Sequence, residues 1–162
     1  MQTARLAGAT KVIAIDLDDK KLAIAKQLGV DYTVNSKSEN AEEKVKEYTN
    51  GRGADVVIEA VGIGVTYNLA MSIVKKKGTV IALGFAQAEI NFKLKPFVYN
   101  EIDFLGTTGY ASECQTTIDY LASGRINTDL IITHTFPLEQ VNDGFQVLVN
   151  RDITAIKVII HP

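Results

Sequence analysis

What this chain lacks narrows its function before any motif is considered. It has a single cysteine, Cys114, in 162 residues, which excludes an intrachain disulfide and a multi-cysteine zinc site. Its two histidines, His134 and His161, stand in no metal-ligating spacing such as H-x-x-x-H. No uninterrupted apolar run reaches the ~18 residues of a membrane span, and the N-terminus has no signal-peptide apolar region. Charge of either sign is not in excess. The 17 Lys and Arg against 19 Asp and Glu give a net charge of −2, which leaves no electrostatic basis for binding nucleic acid or an anionic membrane. The one dense basic run, Lys75-Lys76-Lys77 before Gly78, reads as cations at a helix C-terminus. A soluble protein of a reducing, cytoplasmic compartment is expected.

What is present is the content of one globular domain. The chain is 46% hydrophobic and 22% charged, enough to bury a sizeable core and too apolar for wholesale disorder. Two periodicities alternate along it. Lys11 to Asp16 reads as a buried strand. Asp18 is placed to cap a helix over Asp19 to Leu28, with Gly29 where a terminating glycine belongs. Asp31 to Asn35 is a second strand, and Ser38 opens a polar helix over Glu39 to Tyr48, stopped by Asn50-Gly51. Ala54 to Ala60 is a strand, Val65 to Lys76 a helix ended by Gly78, and Thr79 to Leu83 another strand. An irregular stretch follows, with an extended piece at Ile90 to Lys93 and a segment from Pro96 to Asn100. Then come a strand over Ile102 to Thr107, a helix over Ser112 to Ser123 closed by Gly124, and an extended Thr133 to Phe136. Pro137 opens a helix to about Val149, and Ile156 to Ile160 is a last strand. Strands apolar on both faces, alternating with helices, predict one α/β domain, residues 1–162, with a doubly wound, mostly parallel sheet.

Asp16 ends an apolar strand at the carboxyl edge of that sheet. In the dinucleotide-binding (Rossmann) fold a strand leads into G-x-G-x-x-G, a helix follows, and the next strand ends in an acid ~20 residues beyond the glycines. That acid accepts hydrogen bonds from the adenosine ribose and repels a 2′-phosphate, so NAD is expected over NADP. Lys21, five residues on, could reach the ribose. Against this, an Asp at a strand-to-helix turn, followed by Asp18 and Asp19, could simply cap the helix. The residues before Asp16 are too few for the fingerprint, and Thr3 to Gly8 reads as the end of a helix. The expectation is a sheet lacking its first strand and glycine turn.

Gly62-Ile-Gly64-Val-Thr-Tyr67 also follows a strand and opens a helix. An acid should then close the next strand, but Ile81 to Ala86 has none. Glu59 to Gly64 therefore reads as a later strand-end turn passing under a cofactor. No Tyr-x-x-x-Lys pair, G-x-S-x-G elbow or G-x-x-x-x-G-K-[ST] loop is present. The acidic pairs Glu42-Glu43 and Asp18-Asp19 read as solvated surface charge.

The run Ala9 to Asp16, followed by Lys21-Leu-Ala-Ile-Ala-Lys-Gln-Leu-Gly29, resembles the second strand and helix of the coenzyme domain in the zinc-dependent medium-chain alcohol and polyol dehydrogenases. Gly53 to Gly62, Gly78 to Gly84, Ile131 to His134, Pro137 to Phe145 and Lys157 to Pro162 continue in that family's order. Phe97 to Gly106 is similar to the branch of 2,3-butanediol, threonine and sorbitol dehydrogenases. The resemblance covers essentially the whole chain. It implies that Asp16 and Lys21 hold the adenosine ribose. Ala60-Val61-Gly62 and Leu83-Gly84-Phe85 would pass beneath the nicotinamide side, and Thr107 and Thr108 would approach the carboxamide. It also implies zinc, but in a preceding domain whose Cys, His and Glu ligands this chain does not contain. In the implied strand order the lost first strand is central, so its neighbours would need another segment or another chain.

Three functions follow as expectations. The first is the coenzyme-binding part of an NAD-dependent dehydrogenase of secondary alcohols or polyols, with no catalytic or metal residue of its own and weak or absent NAD binding alone. The second is a non-catalytic dimerisation module derived from such an enzyme, pairing through the edge at Ile90 to Lys93. The third, a nucleoside-dependent transferase with an acid at the same strand end, is disfavoured by the end-to-end resemblance.

Overall fold

The computed structural model describes residues 1–91, 93–109, 112–150 and 155–162. In chain order the elements are helix α1 (Gln2–Leu6), strand β1 (Ile13–Asp16), α2 (Asp19–Gln27), β2 (Tyr32–Asn35), α3 (Ala41–Tyr48), β3 (Ala54–Glu59), α4 (Gly64–Ile73) and β4 (Val74–Ala82). They continue with α5 (Leu94–Tyr99), β5 (Asp103–Gly106), α6 (Cys114–Ala122), β6 (Ile132–Pro137), a 3₁₀ turn (Leu138–Gln140), α7 (Val141–Val149) and β7 (Lys157–His161). The alternation expected from the sequence is present. The chain forms two compact units: residues 1–33 with 114–162, and residues 34–113.

In the second unit β3, β4 and β5 form one parallel sheet in that order. Its core gathers Ala70 and Met71 of α4, Val74 and Val80 of β4, and Ile102, with Val57 and Phe97 packed against them. Helix α4 covers one face of β3 and β4, and α3 lies on α4 through buried Ala41 and Val45. Strand β4 buries Val80 completely. The expectation that every strand is apolar and covered on both faces fails elsewhere: Val56 and Ile58 of β3 are 52% and 48% exposed, and all four residues of β5 are exposed. β3 also ends its sheet, so one of its edges has no neighbour among the described residues.

In the first unit β6 and β7 pair in parallel, with α7 against both. Gly144 permits that approach, since a Cβ there would come within 2.8 Å of Ile160 Cδ1. Strand β1 pairs with β2, in which the first unit's opening segment ends. The Arg5 guanidinium bonds the Asp31 carboxylate and the carbonyls of Ala9 and Gly29, and Val12 N donates to the same carboxylate at 2.6 Å. Gln2 and Asn127 exchange two hydrogen bonds, at 2.8 and 2.7 Å.

The described residues form three sheets, β1-β2, β3-β4-β5 and β6-β7. Several local expectations are corrected. Lys75-Lys76-Lys77 do not close a helix. Helix α4 stops at Ile73, and the lysines lie in the first part of β4, where five residues of β4 span two of β3 (Ala54↔Val74, then Val56↔Thr79). The long bulge takes a positive φ at Lys77, and Lys75 pairs with Asp55 instead of helix carbonyls. Asn40, not Ser38, caps α3, accepting from the N–H groups of Glu42 and Glu43. Pro137 ends β6, and α7 starts only after a 3₁₀ turn. Ile90, Asn91 and Lys93 are in no strand, and Phe92 lies outside the described residues. The segment around Pro96 is a short helix rather than irregular chain.

Candidate functional site

The second unit's parallel register sets the last residues of its strands side by side: Glu59 opposite Ala82, and Ala82 opposite Gly106. The residues after each strand end therefore share one edge. These are Ala60-Val61-Gly62 after β3, Leu83-Gly84-Phe85 after β4, and Thr107-Thr108 after β5, eight of the ten expected cofactor contacts. Thr107 N donates to Ala82 O at 3.2 Å, which holds the third turn against the second.

The first two turns are locked backbone to backbone. Glu59 O accepts from the N–H groups of Leu83 and Gly84, and Gly62 O accepts from those of Ala86 and Gln87. A Cβ at Gly62 would overlap the backbone nitrogens of Phe85 and Ala86, and one at Gly84 those of Gly62 and Val61. Gly62 also takes a φ of 86°, which only glycine adopts cheaply. Both glycines are therefore required by the close approach of two chains. The edge they build is apolar and open to solvent, with Val61 56%, Leu83 54% and Phe85 89% exposed.

Glu59, expected only as the first residue of a strand-end turn passing under a cofactor, is the residue that organises that turn. The residue is 4% exposed, and its carboxylate accepts from Val61 N and Gly62 N, each at 3.0 Å, and from the Thr66 hydroxyl at 2.7 Å. An acid at the end of an otherwise apolar strand, two residues ahead of Val61-Gly62, was the signal available: a carboxylate placed there needs the turn's N–H groups as partners. Tyr67 completes the support. Its buried phenol donates to Gly84 O at 2.7 Å, and burial, followed by the nearby Glu59 charge, raises its pKa above the ordinary tyrosine value. Tyr67 stands where a third glycine of G-x-G-x-x-G would be, and its ring lies 5.9 Å from that of Phe104. The first N–H of α4, at Gly64, is taken by Gln87 Oε1 at 3.0 Å.

Asp16 and Lys21 belong to the first unit. The Asp16 carboxylate ends β1 half-buried, and its Oδ1 accepts from the N–H groups of Leu17 (2.7 Å) and Asp18 (3.0 Å). Its Oδ2 has no protein partner among the described residues. The helix-cap alternative is answered by Asp18, whose own side chain caps α2 by accepting from Lys20 N. Lys21 is exposed in the first turn of α2 and forms no ion pair among the described residues. The acidic pairs read as idle surface charge are only partly so. Asp18 caps a helix, and Glu42 pairs with Lys46 at 2.7 Å.

A family model described as zinc-binding dehydrogenase matches residues 1–123. Among curated relatives, L-idonate 5-dehydrogenase of Vitis vinifera is 33% identical over 167 residues, covering 99% of this chain and 45% of its own. Sorbitol dehydrogenase of Bacillus subtilis is 31% identical over 160 residues, covering 98% and 45%. An Escherichia coli oxidoreductase/dehydrogenase of unknown specificity superposes with a TM-score of 0.92 at 28% identity, covering 99% of this chain and 47% of that one. A zinc-binding dehydrogenase from Sinorhizobium meliloti, solved bound to NADP, gives 0.86 at 27%, covering 99% and 48%. The fold is thus that of the Rossmann-type zinc dehydrogenases, an α/β architecture with parallel sheets, and the chain belongs to the zinc-binding dehydrogenase family. It spans a little under half the length of these relatives.

Zinc does not fit the residues present. Among the described residues no group of three or more His, Cys, Asp or Glu could hold a metal ion, and Cys114 is exposed and single. A dinucleotide fits in part. The half-buried Asp16 carboxylate of the first unit is an acceptor suited to ribose hydroxyls, and the apolar edge of the second unit is a surface suited to a planar ring. No helix of the described residues is long and apolar enough to cross a membrane.

Proposed function

We propose that this chain is the coenzyme-binding part of a zinc-type alcohol or polyol dehydrogenase, most of a single NAD-binding domain. Asp16 and Lys21 take the adenosine ribose. Ala60, Val61, Gly62, Leu83, Gly84, Phe85, Thr107 and Thr108 receive the nicotinamide side. The observation that carries this reading is the Asp16 carboxylate, one oxygen fixed by two backbone N–H groups and the other without a partner among the described residues. So held, it accepts from ribose hydroxyls and repels a 2′-phosphate, which favours NAD over NADP. The Sinorhizobium relative was solved with NADP, so the preference rests on this chain's own acid and not on family membership. Bound NAD would supply the hydride acceptor for a secondary alcohol.

The chain has no zinc-ligand set among the described residues and no pyrophosphate turn before Asp16. Alone it is therefore proposed to be inactive toward alcohols and to bind NAD weakly or not at all. The exposed free Cys114 suits a reducing, cytoplasmic setting. Calorimetry with NAD tests the affinity, with no micromolar binding expected; a micromolar Kd would overturn that part. An amide NMR titration at millimolar coenzyme tests the residue roles. NAD is expected to shift Leu17, Asp18 and Lys21, and NADP to act at least about tenfold more weakly, a preference that Asp16→Asn removes. Equal shifts from both coenzymes would defeat the assignment of Asp16.

A second reading, a dimerisation module, is favoured by one observation. β3 ends its sheet with Val56 and Ile58 half exposed, an arrangement open to pairing with a second copy of this chain.

A further inference from the structure

Away from the strand-end turns, one cavity gathers charge that the coenzyme role does not use. It holds about 460 Å³ and is lined wholly by residues of the second unit, a volume in the range of small-molecule sites. Four cations reach it from four segments: Lys46 on α3, Arg52 in the turn before β3, Lys76 in β4 and Lys93 at the start of α5. A single lining carboxylate, Glu42, faces them.

Glu42 is already committed. Lys46 Nζ donates to it at 2.7 Å, and that bond, with the Ser72 side chain and the Lys93 charge adding, holds its carboxyl below the ordinary range. The nearby Asp55 is within the influence of Arg52 but is bonded to Lys75 at 2.5 Å. Arg52, Lys76 and Lys93 make no ion pair among the described residues. A chain of net charge −2 has thus placed around one concavity three cations that form no ion pair among the described residues. All three are exposed, so solvent screens their mutual repulsion, and an entering anion relieves what remains. An Arg fork with two ammonium groups is the donor set that phosphate oxygens accept best. Behind the cations the wall is apolar, at buried Met71 and Val74. Asn68, whose Nδ2 donates to Gly64 O and Asn91 O, keeps its Oδ1 as an acceptor.

We propose that this cavity binds a phosphate monoester of a small polar metabolite. The phosphoryl group lies among Arg52, Lys76 and Lys93, and the organic part lies against Met71, Val74 and Asn68. A concave site of this size on an acidic chain favours a small ester over a nucleic acid.

The test is an amide NMR titration of the 162-residue chain at fixed ionic strength, with inorganic phosphate and glycerol 3-phosphate as separate probes. Glycerol 3-phosphate is expected to give saturable shifts at Arg52, Lys76 and Lys93, with a Kd at least about threefold below that of phosphate. The double variant Arg52→Gln/Lys76→Gln is expected to weaken binding about tenfold or more at unchanged Tm. Lys20→Gln/Lys26→Gln on α2 should change nothing. Should the first pair fail to fold, Lys93→Gln is expected to weaken binding at least about threefold. Shifts that never saturate, equal affinity for the two probes, undiminished binding by the variants, or tighter binding of a single-stranded oligonucleotide would each overturn the proposal.

Discussion

A carboxylate removed from water is costly unless its lone pairs are taken, and at Glu59 three donors take them. Removing the side chain leaves the N–H groups of Val61 and Gly62 without that partner, whereas glutamine keeps one accepting oxygen. Urea denaturation is expected to show Glu59→Ala destabilised by about 3 kcal/mol and Glu59→Gln by about half that. Equal losses would mean that the carboxylate's hydrogen bonds are not what holds the turn. Asp31 makes the matching case at the surface. The Val12 N–H, followed by the Arg5 charge, keeps its pKa below the ordinary aspartate value of 3.8. A lowered folded-state pKa stabilises the fold above the ordinary value, and that contribution is lost as the pH falls through the folded one. Asp31→Asn is therefore expected to lower Tm at neutral pH, with the difference from the parent chain closing as the pH falls below 3.8 and through the lowered folded value. A difference that persists in strong acid would contradict this.

Helix and strand ends followed the local chemistry where one residue type dominated. Asp18, Gly29 and Gly124 act where cap and stop residues are expected, with Gly29 and Gly124 at positive φ. The start of α3 was less legible, because Ser38 and Asn40 are both good caps and only the path of the chain chooses between them. Asn40→Ala is expected to cost about 1 kcal/mol and Ser38→Ala under about 0.5 kcal/mol, compared by thermal melts. The reverse order would return the cap to Ser38. Lys75 to Lys77 misled for a different reason. Consecutive lysines before glycine fit a helix end as well as a bulge, and the choice fell to β4, which meets Ala54 of β3 at Val74 and then bulges before Thr79. The same limit applies to the turn after β3. Gly62 and Gly84 are legible as glycines, but their mutual approach is a contact between segments that no local pattern encodes.

For the molecule as a whole, the exposed β3 face, with an edge that has no neighbour among the described residues, makes self-association the property to measure. Sedimentation across concentrations is expected to show reversible association, weakened by Val56→Lys/Ile58→Lys, which puts charge on that face. A monomer at all concentrations would dispose of the dimerisation reading. By itself the sequence determined the α/β alternation, the family resemblance along the whole chain and the strand-end acid at Asp16. Each of these is a matter of local spacing and residue type. Tertiary structure decided that Asp18 and not Asp16 caps α2, leaving one Asp16 oxygen without a partner among the described residues. It also decided that the sheet is divided into three among the described residues, that Glu59 holds the turns after β3 and β4, and that four cations share one cavity. These depend on which distant segments come within a few ångströms of each other, and hydrogen bonds and charge act only at that range.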